Sequence, residues 1–200
     1  MNTTVLPCVA IGFCLALPAA AQQNCPTAAD LDRGIRIDFV DGSSETFRTQ
    51  GPGIVVVDGR EADGVTYRLE LGHGLHLLSY ETMVDGMPDP ASAVSYDYGM
   101  EASALPVPAP QGRHRLDMAP RDSLGSRDEA QTHAYGKLHS VLIGGCTYDM
   151  FEAVILYETT DFYTEGLEYL PQLGIGYLVW TENTDIARVP LGAVGIRVVK

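Results

Sequence analysis

Apolar and polar residues alternate along much of the chain with the period of a half-buried strand. Ile35-Arg36-Ile37-Asp38-Phe39 alternates strictly, turns at Asp41-Gly42-Ser43-Ser44 and returns through Glu45-Thr46-Phe47-Arg48, a hairpin pattern with Asp-Gly in the turn. Ile54-Val55-Val56-Val57 follows Gly51-Pro52-Gly53, and Val65 to Leu71 alternates again. Leu75 to Tyr80 follows Gly72-His73-Gly74. Towards the C-terminus the pattern recurs at Leu138 to Ile143, Thr147 to Tyr157, Tyr163 to Leu170, Ile175 to Thr181 and Gly195 to Val199. No stretch of useful length carries the 3.6-residue period of an amphipathic helix, which argues against an alternating α/β sheet. The expectation is a mostly β protein: an antiparallel meander of about ten strands forming a curved sheet, open barrel or sandwich.

Between the two strand-rich zones, residues 84–135 change character. Six prolines punctuate them: Pro88, Pro90, Pro106, Pro108, Pro110 and Pro120. Leu105-Pro106-Val107-Pro108-Ala109-Pro110 reads as extended polyproline-like chain, unsuited to a central strand. Ser95-Tyr96-Asp97-Tyr98 reads as a short strand, and Arg121 to Ala134 as a loop or one short helix. Some fifty residues of loop is long for a compact domain, so a surface-ordered segment or a flap is expected here. The flanking zones share the frame Tyr-x-x-x-Leu-Gly-x-Gly, at Tyr67–Gly74 and Tyr169–Gly176, consistent with two similar halves.

The first 21 residues depart from all of this. Val5 to Ala21 has no charge and ends in Pro18-Ala19-Ala20-Ala21 before polar Gln22-Gln23-Asn24. Small residues at Ala19 and Ala21 fit a secretory cleavage site, and the apolar run is short for a bilayer span. Residues 1–21 therefore read as a signal peptide, although Met1-Asn2-Thr3-Thr4 lacks the usual Lys or Arg; residues 22–200 read as a single domain. No later segment has the length of a membrane span. The net charge of −13 falls wholly on residues 22–200, and the 13 basic residues are scattered, which disfavours nucleic acid and anionic membrane surfaces. Losing the leader removes Cys8 and Cys14 and leaves Cys25 and Cys146. In an oxidising compartment this pair has one possible connectivity; the alternatives are two free thiols or a redox pair, for which no C-x-x-C is present.

Catalytic signatures are absent: no Gly-x-Ser-x-Gly, no His-Glu-x-x-His, no P-loop and no complete Gly-x-Gly-x-x-Gly. The histidines are His73, His76, His114, His133 and His139. His73 and His76 resemble a chelating pair, but residues three apart on a strand face opposite sides, and nothing nearby completes a site, so no metal or cofactor is expected. By the same geometry His139 cannot activate Ser140. Glu152, Glu158, Asp161, Glu165 and Glu168 read as the solvated face of a sheet rather than an acid–base pair. Tyrosine is the better lead. Ten Tyr stand beside five Phe and one Trp, and an apolar body with a polar tip suits a groove. Tyr148, Tyr157, Tyr169, Tyr177 and Trp180 are the candidate ligand-face aromatics, with Tyr96, Tyr98 and Tyr163 as further candidates.

Cys25-Pro26, Ile143-Gly144-Gly145-Cys146-Thr147-Tyr148 and Tyr169-Leu170-Pro171-Gln172-Leu173-Gly174 together resemble uncharacterised exported proteins of Gram-negative bacteria. The resemblance implies a periplasmic or secreted protein and no activity. In architecture a two-part meander is similar to the half-barrel lipid carriers of the bacterial envelope. The expected function is non-catalytic binding of an envelope partner or small apolar ligand through a curved sheet, partly covered by the proline-rich segment. The alternative is a periplasmic hydrolase with dispersed catalytic residues.

Overall fold

The computed structural model describes residues 25–158, 163–183 and 190–199. The expected leader, residues 1–21, the start at Gln22 and Asp161 lie outside the described residues. A 3-10 turn at Ala28–Asp32 precedes fifteen strands: β1 (Ile35–Phe39), β2 (Ser44–Gly51), β3 (Ile54–Arg60), β4 (Thr66–Gly72), β5 (His76–Val84), β6 (Met87–Pro88), β7 (Val94–Asp97), β8 (Arg113–Asp122), β9 (Gly125–Ser126), β10 (Glu129–Tyr135), β11 (His139–Ile143), β12 (Cys146–Tyr157), β13 (Tyr163–Leu170), β14 (Ile175–Asn183) and β15 (Ala193–Val198). Among the described residues no helix is long and apolar enough to cross a membrane.

All pairings are antiparallel and form one sheet in the order β14-β13-β12-β10-β8-β7-β5-β4-β3-β2-β1-β15, with β11, β6 and β9 attached to β12, β5 and β8. The protein is thus mostly β, as the alternation predicts, and the sheet is curved and open rather than closed into a barrel. Rolling brings distant strands face to face. Ile35, Ile37, Phe47 and Val57 from β1–β3 share a buried cluster with Ile143, Tyr148, Ile175, Tyr177 and Ile196. A second cluster joins Leu75, Tyr98, Leu116, Tyr135, Phe151 and Tyr169. The Cys25–Cys146 disulfide forms as expected and ties the chain before β1 to the start of β12. Beside it the Tyr148 hydroxyl donates to the Pro26 carbonyl at 3.0 Å.

The middle segment departs from expectation. Residues 113–135, read partly as loop or helix, form the β8–β10 hairpin, and β8 is the strand through which the two zones join. Its C-terminal part pairs with β7 (Asp97↔Ala119), and Arg113 to Met118 pair with β10. Alternation over Arg113–Pro120 was hidden by polar side chains: Leu116, Met118 and Pro120 face inward between Arg115, Asp117 and Arg121. Pro120 is tolerated where β8 passes from one partner to the other. The proline-rich stretch is extended, as predicted, and covers the sheet through buried Leu105 and Pro108.

Both Tyr-x-x-x-Leu-Gly-x-Gly segments belong to hairpins with a register shift, β4–β5 and β13–β14. The turn is residues 73–75 in the first and 171–174 in the second, so the motif occupies different places in the two. The two turns touch: the Gly176 amide donates to the Gly74 carbonyl at 2.8 Å. A Cβ on Gly74 would lie 2.0 Å from the Gly174 carbonyl oxygen, so this approach requires glycine.

Candidate functional site

The roll of the sheet leaves an interior cavity of about 380 Å³, at the low end of the range for small-molecule sites. Leu69, Leu71, Leu75 and Leu77 line it from β4, β5 and the turn between them, and Ile155 and Leu167 from β12 and β13. Tyr67, Tyr80, Tyr96, Tyr157, Tyr163 and Tyr177 add apolar ring faces with polar tips.

Carboxyl groups from opposite zones of the sheet reach the same space. On β2, Glu45 is in phase with buried Phe47, so the pleat turns it inward. It is 6% exposed and accepts a hydrogen bond from the Tyr67 hydroxyl at 2.8 Å. Burial raises its pKa to about 7, against the Tyr67 hydrogen bond that favours the ionised form. On β13, Glu165 is in phase with Tyr163 and Leu167 and accepts from Tyr157 at 2.9 Å and Tyr163 at 3.0 Å. Burial raises its pKa as well. An apolar cavity with carboxyls at its wall suits a largely apolar molecule that carries a hydrogen-bond donor or a positive charge.

The predicted aromatics divide. Tyr157 and Tyr177 line the cavity, as do Tyr96 and Tyr163, while Tyr67 and Tyr80 were missed. Tyr148, Tyr169 and Trp180 are buried elsewhere in the core and do not line it. Tyr169 donates to the His73 carbonyl at 3.0 Å and Trp180 Nε1 to Glu152 at 3.3 Å. Tyr98 lies among the histidines described next. The acidic residues divide too. Glu158 is exposed and paired with Arg115, and Glu168 accepts from Tyr177, but Glu165 faces inward rather than forming part of a solvated face.

Three histidines converge from β5, β8 and β10. His114 on β8 and His133 on β10 are direct cross-strand partners, and His76 opens β5. Their ring centroids are 5.2 Å apart for His114–His133, 5.0 Å for His76–His133 and 5.9 Å for His76–His114. His76 and His133 are fully buried and His114 half-buried. His73, on the turn, is outside the trio. Burial lowers the pKa of His76 to about 4 and that of His133 to about 3, with the Pro106 carbonyl opposing the shift at His76 and neighbouring histidines adding to it at His133. Both are neutral imidazoles at pH 7. The chain thus contains a histidine cluster that sequence reasoning did not assemble.

No protein-family model matches the chain, and no curated protein matches it. Among solved structures it is similar to the hypothetical lipoprotein YmcC from Escherichia coli (K12), at 8% identity and a TM-score of 0.43, over 86% of this chain and 89% of that one. Identity and superposition this low transfer neither function nor location.

Proposed function

We propose that the protein is an exported, periplasmic binding protein that holds a small, largely apolar molecule inside its rolled sheet. The observation that carries this reading is the interior cavity, walled by leucines and tyrosines from both zones and bearing the inward carboxyls Glu45 and Glu165. The leader-like residues 1–21 and the Cys25–Cys146 disulfide support the oxidising compartment. The hydrolase alternative has less support: among the described residues no carboxylate joins the histidine cluster, and His139 and Ser140 are exposed on β11.

Native mass spectrometry of protein purified without denaturant reports any retained molecule directly. Titration with an apolar fluorophore such as N-phenyl-1-naphthylamine then measures the site. Saturable binding of one equivalent is expected, reduced at least tenfold in Leu77→Phe, which fills the cavity, with the near-UV circular dichroism of the fold retained. Non-saturable binding, or equal binding by that variant, overturns the reading.

A further inference from the structure

The histidine trio is independent of the cavity's apolar wall, and its hydrogen bonding indicates a second kind of ligand. His76 Nε2 lies 2.7 Å from the Pro106 carbonyl oxygen. A carbonyl only accepts, so Nε2 carries the proton and Nδ1 presents a bare lone pair. His133 Nε2 lies 3.0 Å from Gln131 Oε1, which sets the same tautomer. Both Nδ1 atoms are buried and have no hydrogen-bond partner. His114 Nε2 is engaged by the Tyr135 hydroxyl at 3.1 Å. All three rings thus have an oxygen partner at Nε2, the outer-sphere arrangement that orients metal-binding imidazoles.

Two buried lone pairs left unpaired in one place carry an uncompensated desolvation cost if nothing meets them. One ring nitrogen from each of His76, His114 and His133 lies within 4.8 Å of the others. Nitrogen ligands at about 2.0–2.1 Å from a tetrahedral zinc ion stand roughly 3.3 Å apart, so small ring rotations close the site. We propose that His76, His114 and His133 bind a divalent late first-row metal ion of the zinc class through their imidazole nitrogens. Neutral nitrogen donors without a carboxylate suit such ions and not calcium or magnesium, which take oxygen ligands. Half-buried His114 is the entry side. The ion cross-braces β5, β8 and β10. Gln131 holds His133 and also lines the cavity, so the metal site adjoins the proposed ligand site without sharing its leucines.

The test uses the full chain, exported during expression, carrying no histidine tag, and stripped with chelator. Isothermal titration with Zn²⁺ should give one equivalent per chain, and bound metal should raise the melting temperature; Ca²⁺ should do neither. His114→Ala should weaken Zn²⁺ binding by more than the roughly 10–100-fold that loss of an outer-sphere partner costs. His139→Ala, on exposed β11, should leave it unchanged. The wild-type chain loaded with Co²⁺ should show the visible bands of a tetrahedral nitrogen-ligated ion, a readout independent of whether His114→Ala folds. Absence of a stoichiometric site, a six-coordinate oxygen-type Co²⁺ spectrum, or equal affinity in a folded His114→Ala protein overturns the proposal. None of these outcomes depends on fluorophore binding in the cavity.

Discussion

At the scale of single residues, the inward carboxyls decide how the protein responds to pH. Glu45 has an ordinary pKa near 4.5 when unfolded and about 7 when folded, because burial outweighs the Tyr67 hydrogen bond. Between those values the folded state binds more protons than the unfolded one, so stability falls as pH rises from about 4.5 to 7 and stays low above it. The full shift corresponds to about 3 kcal/mol, an upper bound on the effect. Glu45→Gln keeps the shape without the charge. It is expected to raise unfolding free energy at pH 8 by about 1–3 kcal/mol and to change it little at pH 4.5. Urea unfolding across that range checks this; a pH-independent difference would show that Glu45 is not buried in its charged form. The inward direction of both carboxyls was legible in the sequence. Glu45 shares the phase of Phe47, and Glu165 that of Tyr163 and Leu167. Reading Glu165 as part of a solvated face set composition above phase, and the pleat follows phase.

At the scale of elements, hairpins with regular alternation were legible and the site they build was not. The strands over 35–80 and 138–199 follow from periodicity, and the β1–β2 turn from Asp41-Gly42. The β8–β10 hairpin was obscured because charged residues fill its outer face and Pro120 interrupts it, and with it went the histidine cluster. No local spacing joins His114 to His133; only the register around the turn at Ser123-Leu124 sets them opposite each other, and His76 arrives from another hairpin. Contact between the β4–β5 and β13–β14 turns was likewise invisible, although the glycines that permit it stood out. This contact is testable because Gly74 and Gly99 have nearly the same left-handed φ, +68° and +67°. A Cβ on Gly99 meets nothing within 4 Å, while one on Gly74 meets the Gly174 oxygen. Gly99→Ala should cost about 1–2 kcal/mol, the strain of a left-handed residue alone. Gly74→Ala should cost about 2–5 kcal/mol, with overpacking of about 1–3 kcal/mol added. Equal losses in urea unfolding would mean that the turns do not dock closely.

At the scale of the molecule, the open sheet poses a mechanical problem that the disulfide addresses. β14 and β15 share no ladder that closes the sheet among the described residues. The roll therefore depends on side-chain packing, cross-links and isolated main-chain hydrogen bonds, such as Leu191 amide to Val179 carbonyl at 2.6 Å and Gly176 amide to Gly74 carbonyl at 2.8 Å. The Cys25–Cys146 bond spans 121 residues and joins the segment before β1, next to edge strand β15, to β12 in the other zone. Gly144 beside it approaches the backbone of Ile196 on β15, so the cross-link sits where the two zones meet. Closing a loop of this length stabilises by about 5 kcal/mol in the chain-entropy model, a sizeable share of the roughly 5–15 kcal/mol that holds an ordinary domain. Replacing both cysteines with serine is therefore expected to lower unfolding free energy by about 3–5 kcal/mol. Loosening the roll should also weaken the cavity, whose wall draws on both zones, so fluorophore affinity should fall in the same variant even where it remains folded. Guanidinium unfolding followed by Trp180 fluorescence measures the first effect and titration at low temperature the second. Unchanged affinity with reduced stability would mean that the cavity is formed by β packing alone, and that the disulfide acts only by restricting the unfolded chain.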